Sequence, residues 1–581
     1  MATTTTIFNQ TPSFIIPSTQ IPSTLLHQPL LPLSVPRRHR RSITCKATHY
    51  NNHHHHHQQP PSLDRRHILI GLAGVSSASA LTPPTPALAL PIQAPDLSKC
   101  GPADLPSGAI PTNCCPPIKS SDILDFQLPP PTTPLRLRPA AQLVDKAYVD
   151  KFNKAISLMK ALPADDPRNF TNQANVHCAY CDGAYDQLQV HNSWLFFPWH
   201  RYYLYFYERI LGKLIGDDTF AIPFWNWDAP AGMRLPSIYT DTSSPLYDKL
   251  RDVKHQPPTL LDLDFNGEDP TSSDELQIDE NLRVMQVISN GKTAELFMGL
   301  PYRAGDNPNP GAGSLENLPH GTVHFWTGDR SQPNGEDMGN FYSAARDPIF
   351  FAHHGNIDRM WWLWRKLSPG HKDFTDKDWL DAAFLFYDEE ARPVRVRVRD
   401  ALEVDRLRYA YQDVDVPWTR TKPTVRLGAN SVTKSRDIAP PPPIATSFPI
   451  DLKNTVSVIV KRARRARSAA DKEREEEVLA VEGIEFSRDE FVKIDVYVNS
   501  AGQEDSVSPG GRELAGSFVN VPHKHKHSKK EKVVTTKLRV GITDLLEDIG
   551  AEEDKSIVVS LVPRKGKSKV KIGGIKIEFA E

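Results

Sequence analysis

Six histidines, arranged as two sets of three, constrain this chain more than any other feature of its sequence. Residues four apart on a helix lie on one face, so His320 and His324 can point the same way. Imidazole nitrogen suits copper, zinc, iron and nickel. A single histidine is more often a core residue, but two sets of three among aromatic residues predict a pair of metal sites. The candidate ligands are His177, His191 and His200 in the first set, and His320, His324 and one of His353 and His354 in the second.

The segments that carry these histidines have helical periodicity. Apolar and aromatic residues recur at three- and four-residue steps in 140–162, 191–212 and 352–367, which predicts helices there. Residues 236–260 and 302–317 are rich in Pro, Gly, Asn and Asp and are predicted to be loops. The central part of the chain is therefore predicted to be a mainly α domain.

The pattern changes after about residue 420. Residues 421–448 contain Pro440–Pro443 and no apolar period, which indicates an exposed linker. Beyond it, short β-branched segments predict strands of a small β-sandwich. The clearest of these segments are 456–460, 492–498, 557–562 and 575–579.

Charge and composition exclude some functions. The 581 residues contain 69 Lys and Arg against 70 Asp and Glu, which gives a net charge of -1 and argues against nucleic acid as the main partner. The basic runs 461–467 and 523–530 are therefore predicted to be solvated loops. Six cysteines are too few for a disulfide scaffold.

The first 89 residues have the composition of a targeting sequence. Residues 1–63 contain no Asp or Glu but a basic run at 37–41, which is typical of an organelle transit peptide. Arg65 and Arg66 then precede a short apolar stretch and the small residues Ala87-Leu88-Ala89. This second signal predicts passage through the chloroplast into the thylakoid lumen, and the apolar stretch is too short to span a membrane.

Two long motifs surround the histidines. One is His191-x4-Phe196-Phe197-x-Trp199-His200-Arg201, and the other is Asp347-Pro348-x-Phe350-Phe351-x2-His354-x3-Asp358. In both, the sequence resembles the plant polyphenol oxidases (catechol oxidases) of the tyrosinase group, which have a type-3 binuclear copper centre. The resemblance implies copper A on His177, His191 and His200 and copper B on His320, His324 and His354, with His353 beside the site.

The resemblance also implies the domain organisation. Residues 90–420 would form a mainly α catalytic domain with a four-helix-bundle core, residues 421–448 a linker that an activating protease cleaves, and residues 449–581 a β-sandwich shielding domain. Asp378-Trp379-Leu380 matches a motif between the two domains. Val492-Lys493-Ile494-Asp495-Val496 matches a Lys-Phe-Asp-Val element of the family, with Ile494 in place of Phe.

The cysteines receive roles by the same resemblance. Cys100 is expected to pair with Cys115 and Cys114 with Cys178, which an oxidising lumen permits. Cys181 is expected to form a thioether with His191. Nine residues separate these two positions, and many relatives carry a longer loop there.

Further site residues follow from the resemblance. Glu316 matches a carboxylate that positions a water and can act as a base, and Phe341 matches a gate residue over copper A. Gly321 would leave the pocket mouth open and favours diphenols over monophenols. Asp358 and Arg359 are expected to be structural, and Arg138 is expected to contact Tyr409 and Tyr411 through cation–π interactions.

The predicted activity is the oxidation of catechols to ortho-quinones with reduction of dioxygen to water, with weak hydroxylation of monophenols as an accompaniment. The partners would be small phenolic substrates and the activating protease. Alternatives within the enzymes are a true tyrosinase and a biosynthetic oxidase acting on one phenol. A dioxygen carrier of the hemocyanin type could use the same six histidines, and a zinc hydrolase or a non-catalytic storage protein are further alternatives.

Overall fold

The structure is a computed structural model. It describes residues 90–120, 122–185, 188–289, 291–421, 442–443, 447–500, 511, 513–523, 533–566 and 570–580. The predicted targeting signals in 1–89, most of the predicted linker and residues 524–530 lie outside these ranges. Among the residues that the structure describes, no helix combines the length and the apolar character needed to cross a membrane.

The first part of the described chain is mainly helical. Its helices are α1 (Lys146–Ala161), α2 (Phe170–Cys181), α3 (Phe196–Ile215), α4 (Asp274–Ser289), α5 (Ala294–Met298), α6 (Gly321–Thr327), α7 (Ile349–Leu367) and α8 (Lys377–Leu380), with a π-helical turn at Glu316–His320 directly before α6. Short strands accompany them: β1 (Leu124–Asp125), β2 (Arg136–Arg138), β3 (Ala383–Tyr387), β4 (Pro393–Arg397) and β5 (Tyr409–Tyr411).

Local sequence explains where these helices begin and end. Asp145 caps α1 by accepting a hydrogen bond from the Tyr148 N–H. Helix α3 ends at Gly216, which adopts the left-handed conformation (φ 69°) that terminates many helices. The predicted helix at 191–212 begins five residues late, because Asn192 has a φ of 58° and no helix continues through it.

Residues 450–580 form two packed antiparallel sheets. Their elements are β6 (Ile450–Asp451), β7 (Val456–Lys461), α9 (Ala469–Arg474), β8 (Glu476–Ser487), β9 (Val492–Val498), β10 (Leu514–Asn520), β11 (Val533–Gly541), α10 (Thr543–Asp548), β12 (Ser556–Lys565), β13 (Lys571–Ile572) and β14 (Gly574–Ala580). One sheet has the order β10-β9-β12-β7, and the other has β11-β8-β13-β6 with β14 paired to β8. The predicted fold class, a helical catalytic domain followed by a β-sandwich, is confirmed.

Two disulfides tie the N-terminal coil to the helical domain. Cys100 bonds Cys115, and Cys114 bonds Cys178 near the end of α2. Cys178 directly follows His177, so the second disulfide fixes the coil to the helix that carries the first candidate ligand. Cys181 is a free, buried cysteine.

The basic run 461–467 is less exposed to solvent than predicted. Within 461–467, the side chain of Arg462 is 3% exposed and pairs with Glu477 at 2.8 Å. An arginine buried in this way needs a carboxylate partner, and strand β8 supplies one. The prediction of a solvated loop is therefore wrong at Arg462.

Candidate metal centre

All six candidate histidines come together in the helical core, on α2, α3, α6 and α7, on the turn that leads into α6 and on the segment before α3. Each of the six is at most 1% exposed. The ring centroids are 5.1 Å apart for His177 and His191, 5.0 Å for His191 and His200, and 4.7 Å for His320 and His324. The two sets meet where the His200 and His354 rings stack at 4.2 Å.

Backbone carbonyls fix the orientation of four imidazoles. Each of these Nδ1 atoms lies 2.7–3.1 Å from a carbonyl oxygen, so Nδ1 carries the proton and Nε2 keeps its lone pair. The pairs are His177 with Phe341, His200 with Phe196, His320 with Glu316 and His324 with Met338. Within the described part of the chain, the Nε2 atoms of His177, His191, His200 and His320 are buried without a hydrogen-bond partner. Lone pairs turned inward in this way are suited to a metal ion.

His191 is held differently, on the irregular segment before α3. Its Nδ1 atom lies 3.2 Å from Sγ of Cys181, the last residue of α2. The short connection between these residues therefore brings the sulfur against the imidazole ring. Together with His177, these side chains present nitrogen or sulfur atoms within 4.8 Å of one another.

The structure distinguishes His354 from its neighbour. The Nδ1 of His353 accepts a hydrogen bond from Nε1 of Trp227 (3.2 Å), which places the imidazole proton on Nε2. The Nε2 of His354 instead faces the Nε2 of His324 at 3.3 Å. The close approach of the two Nε2 atoms favours His354 as the candidate ligand, although the Nε2 of His353 is also buried without a hydrogen-bond partner among the described residues and both histidines lie near His320 and His324.

Burial keeps these imidazoles neutral. It lowers the pKa of His177 to about 3 and the pKa of His324 to about 4. Burial, aided by the neighbouring histidines, also holds the pKa values of His191, His200, His320 and His354 well below the usual range. Neutral imidazole is the form that coordinates a metal.

Glu316 lies at the edge of the site, one turn before His320. Its Oε1 accepts a 2.6 Å hydrogen bond from the backbone N–H of Asn192, the residue after His191. Its Oε2 is buried with no hydrogen-bond partner among the described residues. Burial raises the pKa of Glu316 well above its usual range, and the Asn192 bond opposes this only in part. The free oxygen can hold a water or accept a proton.

Phe341 and Gly321 lie on the outer side of the site. The Phe341 ring stacks on the His191 imidazole with centroids 4.0 Å apart. At Gly321, a Cβ atom would come within 2.8 Å of Val519 Cγ1 and 3.3 Å of Val521 Cγ2. In the full chain, side chains of the C-terminal domain thus fill the space that this glycine leaves, so the expected open mouth is covered.

The segment Val519–His523, here named the cover segment, consists of the last two residues of β10 and the three residues after it, and it lies over the candidate site. The Phe341 N–H donates to the Pro522 carbonyl (3.3 Å), and the His523 ring stacks on Phe341 at 5.2 Å. His523 is 2% exposed, so the prediction of a solvated loop is wrong at this residue. The burial of this segment could not be predicted from the charge of the sequence, because it depends on contact with the other domain.

Behind the histidines, a buried ionic cluster joins the helices to β2 and β5. The Asp358 carboxylate accepts from Nε of Arg201 (2.5 Å) and Nη1 of Arg138 (3.1 Å), and also from the hydroxyls of Tyr409 and Tyr411. Arg138 lies 3.9 Å from the Tyr409 ring centroid and 5.7 Å from that of Tyr411. These contacts agree with the expected cation–π partners and with a structural role for Asp358.

Arg359, Asp378 and Trp379 make structural contacts as well. Arg359 pairs with Asp228 at 3.0 Å inside the helical domain. Asp378 pairs with Arg303, and the Trp379 Nε1–H donates to the Trp194 carbonyl at 3.0 Å. The hydrogen bond from Trp379 to Trp194 attaches α8 to the segment between His191 and α3.

Three family models match the chain. The common central domain of tyrosinase matches residues 167–367, the polyphenol oxidase middle domain matches 373–424, and the chloroplastic polyphenol oxidase C-terminal domain matches 448–579. Together they cover most of the described residues.

Individual proteins are similar over nearly the whole chain. A chloroplastic polyphenol oxidase of Malus domestica is 57% identical over 94% of this chain and 94% of its own length. Aureusidin synthase of Antirrhinum majus is 53% identical over 84% of this chain and 89% of its own. A solved structure of latent apple tyrosinase is 59% identical, covers 79% of this chain and 100% of that chain, and superposes with a TM-score of 0.74.

Proposed function

Because this chain belongs to the polyphenol oxidase family, whose central domain is that of tyrosinase, we propose that it is a copper-dependent catechol oxidase. It would oxidise ortho-diphenols to ortho-quinones and reduce dioxygen to water. The observation that carries the proposal is the pair of buried histidine sets. In them, backbone carbonyls hold the Nδ1 atoms of His177, His200 and His320, and the Nε2 atoms of these three are buried without a hydrogen-bond partner among the described residues.

The donor set fits two copper ions. His177, His191 and His200 would hold copper A, and His320, His324 and His354 would hold copper B. Neutral nitrogen ligands suit copper, whereas zinc sites rarely use two sets of three histidines. Bound copper would supply the electron transfer between the catechol and dioxygen.

The protein's own groups would position the phenol and move its proton. The free Oε2 of Glu316, in a buried environment that raises the pKa of the carboxyl, can accept a phenolic proton directly or through a water. The Phe341 ring on His191 offers an aromatic face against which a substrate ring can pack. Gly321 leaves room beside copper B once the cover segment has moved away.

The full chain would be a latent form. The cover segment packs against Phe341 and Gly321, where a phenol would have to enter. Cleavage in the linker 421–448 would release the C-terminal domain and expose the site. The likeness to latent apple tyrosinase and to chloroplastic polyphenol oxidases supports latency and a plastid location. The twin-arginine pattern at 65–66 supports the thylakoid lumen as the final compartment.

One experiment tests the activity and the latency together. Copper content and oxygen uptake are measured with a catechol and with the matched monophenol, before and after limited proteolysis in the linker. We expect two coppers per chain, a rise in catechol-dependent uptake of at least about tenfold on cleavage, and much slower uptake with the monophenol. Equal rates on both phenols would favour a true tyrosinase. A cleaved chain that holds two coppers and takes up no oxygen with catechols would overturn the proposal.

A thioether between Cys181 and His191 is a second expectation. Its formation replaces one S–H and one ring C–H bond by a C–S bond, and dioxygen at the site accepts the two electrons and two protons. The 3.2 Å approach of Sγ to Nδ1 supports it. Peptide mapping of the copper-loaded chain should recover the two peptides cross-linked and lighter by two hydrogens. Cys181→Ser should give separate peptides, and recovery of alkylated Cys181 from the loaded wild type would contradict the link.

A further inference from the structure

Strand β9 carries charged residues on a face that is buried. Side chains alternate between the two faces of a strand. Ile494, Val496 and Val498 belong to the core of the sandwich, which leaves Lys493 and Asp495 on the opposite face. Both of these side chains are fully buried. An outer face that holds buried charges needs partners of opposite charge, because an unpaired buried charge is costly.

One of these partners belongs to the catalytic domain. Nζ of Lys493 lies 3.0 Å from Oδ1 of Asp264, which is 5% exposed, and 2.5 Å from Oδ1 of Asp495. Burial lowers the pKa of Lys493, but the two carboxylates outweigh burial and raise it, so the ammonium is charged. Burial, together with Asp495 and Asp262, raises the pKa of Asp264 well above its usual range although Lys493 opposes this. The 3.0 Å contact thus joins a buried ammonium of the C-terminal domain to a buried carboxyl group of the catalytic domain.

This contact lies directly beside the cover segment. In the β9–β10 register, Lys493 is paired with Val519, the first residue of that segment. On the catalytic side, the Thr322 hydroxyl donates to the carbonyl of Leu263, the residue before Asp264, at 2.6 Å. Thr322 follows Gly321, against which Val519 packs. The ion pair therefore joins the strand next to the cover segment to the loop next to the copper B helix.

The same strand fixes its neighbours in the sheet. The Asp495 carboxylate also accepts from the Ser517 hydroxyl of β10 (2.8 Å) and from Nε of Arg564 of β12 (2.6 Å). A displacement of Lys493 from Asp264 would consequently move β9 and β10 together. The cover segment itself makes two neutral hydrogen bonds to the catalytic domain, from the Val519 N–H to Asn317 Oδ1 at 3.1 Å and from the Phe341 N–H to the Pro522 carbonyl at 3.3 Å.

We propose that the Lys493–Asp264 ion pair is the contact that holds the cover segment over the copper site. The inference rests on the proposed latency and assigns it to a specific pair of residues. The lysine of the family-like element at 492–496 would then serve the contact between the two domains.

The test uses the full chain with two single variants and their combination. Lys493→Met removes the charge but keeps a long side chain, and Asp264→Ala removes the acceptor without touching the C-terminal domain. We expect either variant to raise catechol-dependent oxygen uptake of the uncleaved chain by at least about tenfold, since a broken buried pair is costly. After cleavage, wild type and variants should have the same activity. The double variant should add little to either single one, because both changes remove one interaction.

Lys565 provides the matched control. It lies opposite Lys493 in the β9–β12 register and also approaches the catalytic domain, but its side chain is 44% exposed and 3.9 Å from Glu268. Lys565→Met should leave the uncleaved chain as inactive as wild type. An equal gain of activity in this control would mean that any charge loss at the interface opens the site, which would overturn the specific role of Lys493.

A second readout does not depend on copper or on catalysis. Hydrogen exchange of the Val519 amide should become at least about tenfold faster in Asp264→Ala and Lys493→Met than in wild type or Lys565→Met. If the proposed oxidase activity failed, this measurement would still decide the role of the ion pair. A folded Asp264→Ala chain with unchanged exchange at Val519 and unchanged latency would overturn the inference, even if Lys493→Met failed to fold.

Discussion

Replacing His354 by alanine (His354→Ala) is expected to lower the copper content from two ions per chain to one and to abolish catechol-dependent oxygen uptake by the cleaved protein. The His354 ring is fully buried, and its Nε2 faces that of His324 at 3.3 Å. An alanine leaves copper B with two ligands, because His353 could offer its Nε2 lone pair only if its proton moved to Nδ1, which would break the hydrogen bond from the Trp227 indole. Metal analysis and oxygen uptake after linker cleavage measure the two effects.

His353→Asn is the matched control for this variant. An asparagine oxygen can accept the Trp227 indole hydrogen bond that the Nδ1 of His353 accepts in the wild type. We expect this variant to keep both coppers and to lose activity by at most about 10- to 100-fold, as is usual for residues that only contact metal ligands. Loss of one copper from His353→Asn, with retention in His354→Ala, would show that the assignment of the two histidines is reversed.

Asp358→Ala is expected to cost the catalytic domain about 3–5 kcal/mol of unfolding free energy, the usual result of removing one partner from a buried ion pair. Asp358 is 2% exposed and is the common acceptor for Arg138, Arg201 and two tyrosine hydroxyls. Its loss leaves the positive charge of Arg201 in the core with only carbonyl oxygens as acceptors. The measurement is urea-induced unfolding followed by tryptophan fluorescence.

The matched control for Asp358→Ala is a variant that removes an exposed ion pair instead of a buried one. Asp415→Ala removes an exposed ion pair with Arg420 and should leave the unfolding curve unchanged.

The stabilisation by Asp358 depends on pH. Burial raises the pKa of Asp358, but Arg201 and Arg138 outweigh burial, so the net pKa is lowered. The stabilisation is therefore complete above about pH 4 and is lost as the pH falls through the lowered pKa of the folded state. A difference between wild type and Asp358→Ala that grew on acidification would contradict this role.

The helices and the histidine sets could be predicted from the sequence because their signals are local. The apolar spacing of 352–367 corresponds to α7, and that of 140–162 contains α1. His320 and His324, four residues apart, do lie close together. The choice between His353 and His354 could not be made from spacing, because it depends on the Trp227 indole, which is distant in sequence.

Several elements were not predicted from the sequence, among them α2, β8 and β11, and some of the others take their environment from another domain. Strand β10 was not predicted: it contains Gly516 and polar residues such as Ser517, and its outer face is covered by the catalytic domain rather than by water. An alternating pattern of apolar and polar residues appears only when one face is solvated. For the same reason the cover segment looked like the start of a basic loop.

The depth of the histidines also sets an order of events during maturation. With the C-terminal domain in place, none of the six imidazoles is more than 1% exposed, so a metal ion in solvent meets no ligand at the surface. We therefore expect copper to reach the site before the two domains close on each other or during a brief opening of the folded chain. The rate at which a folded, metal-free chain takes up copper would then report how often its domains open, and a cleaved chain would load without that delay.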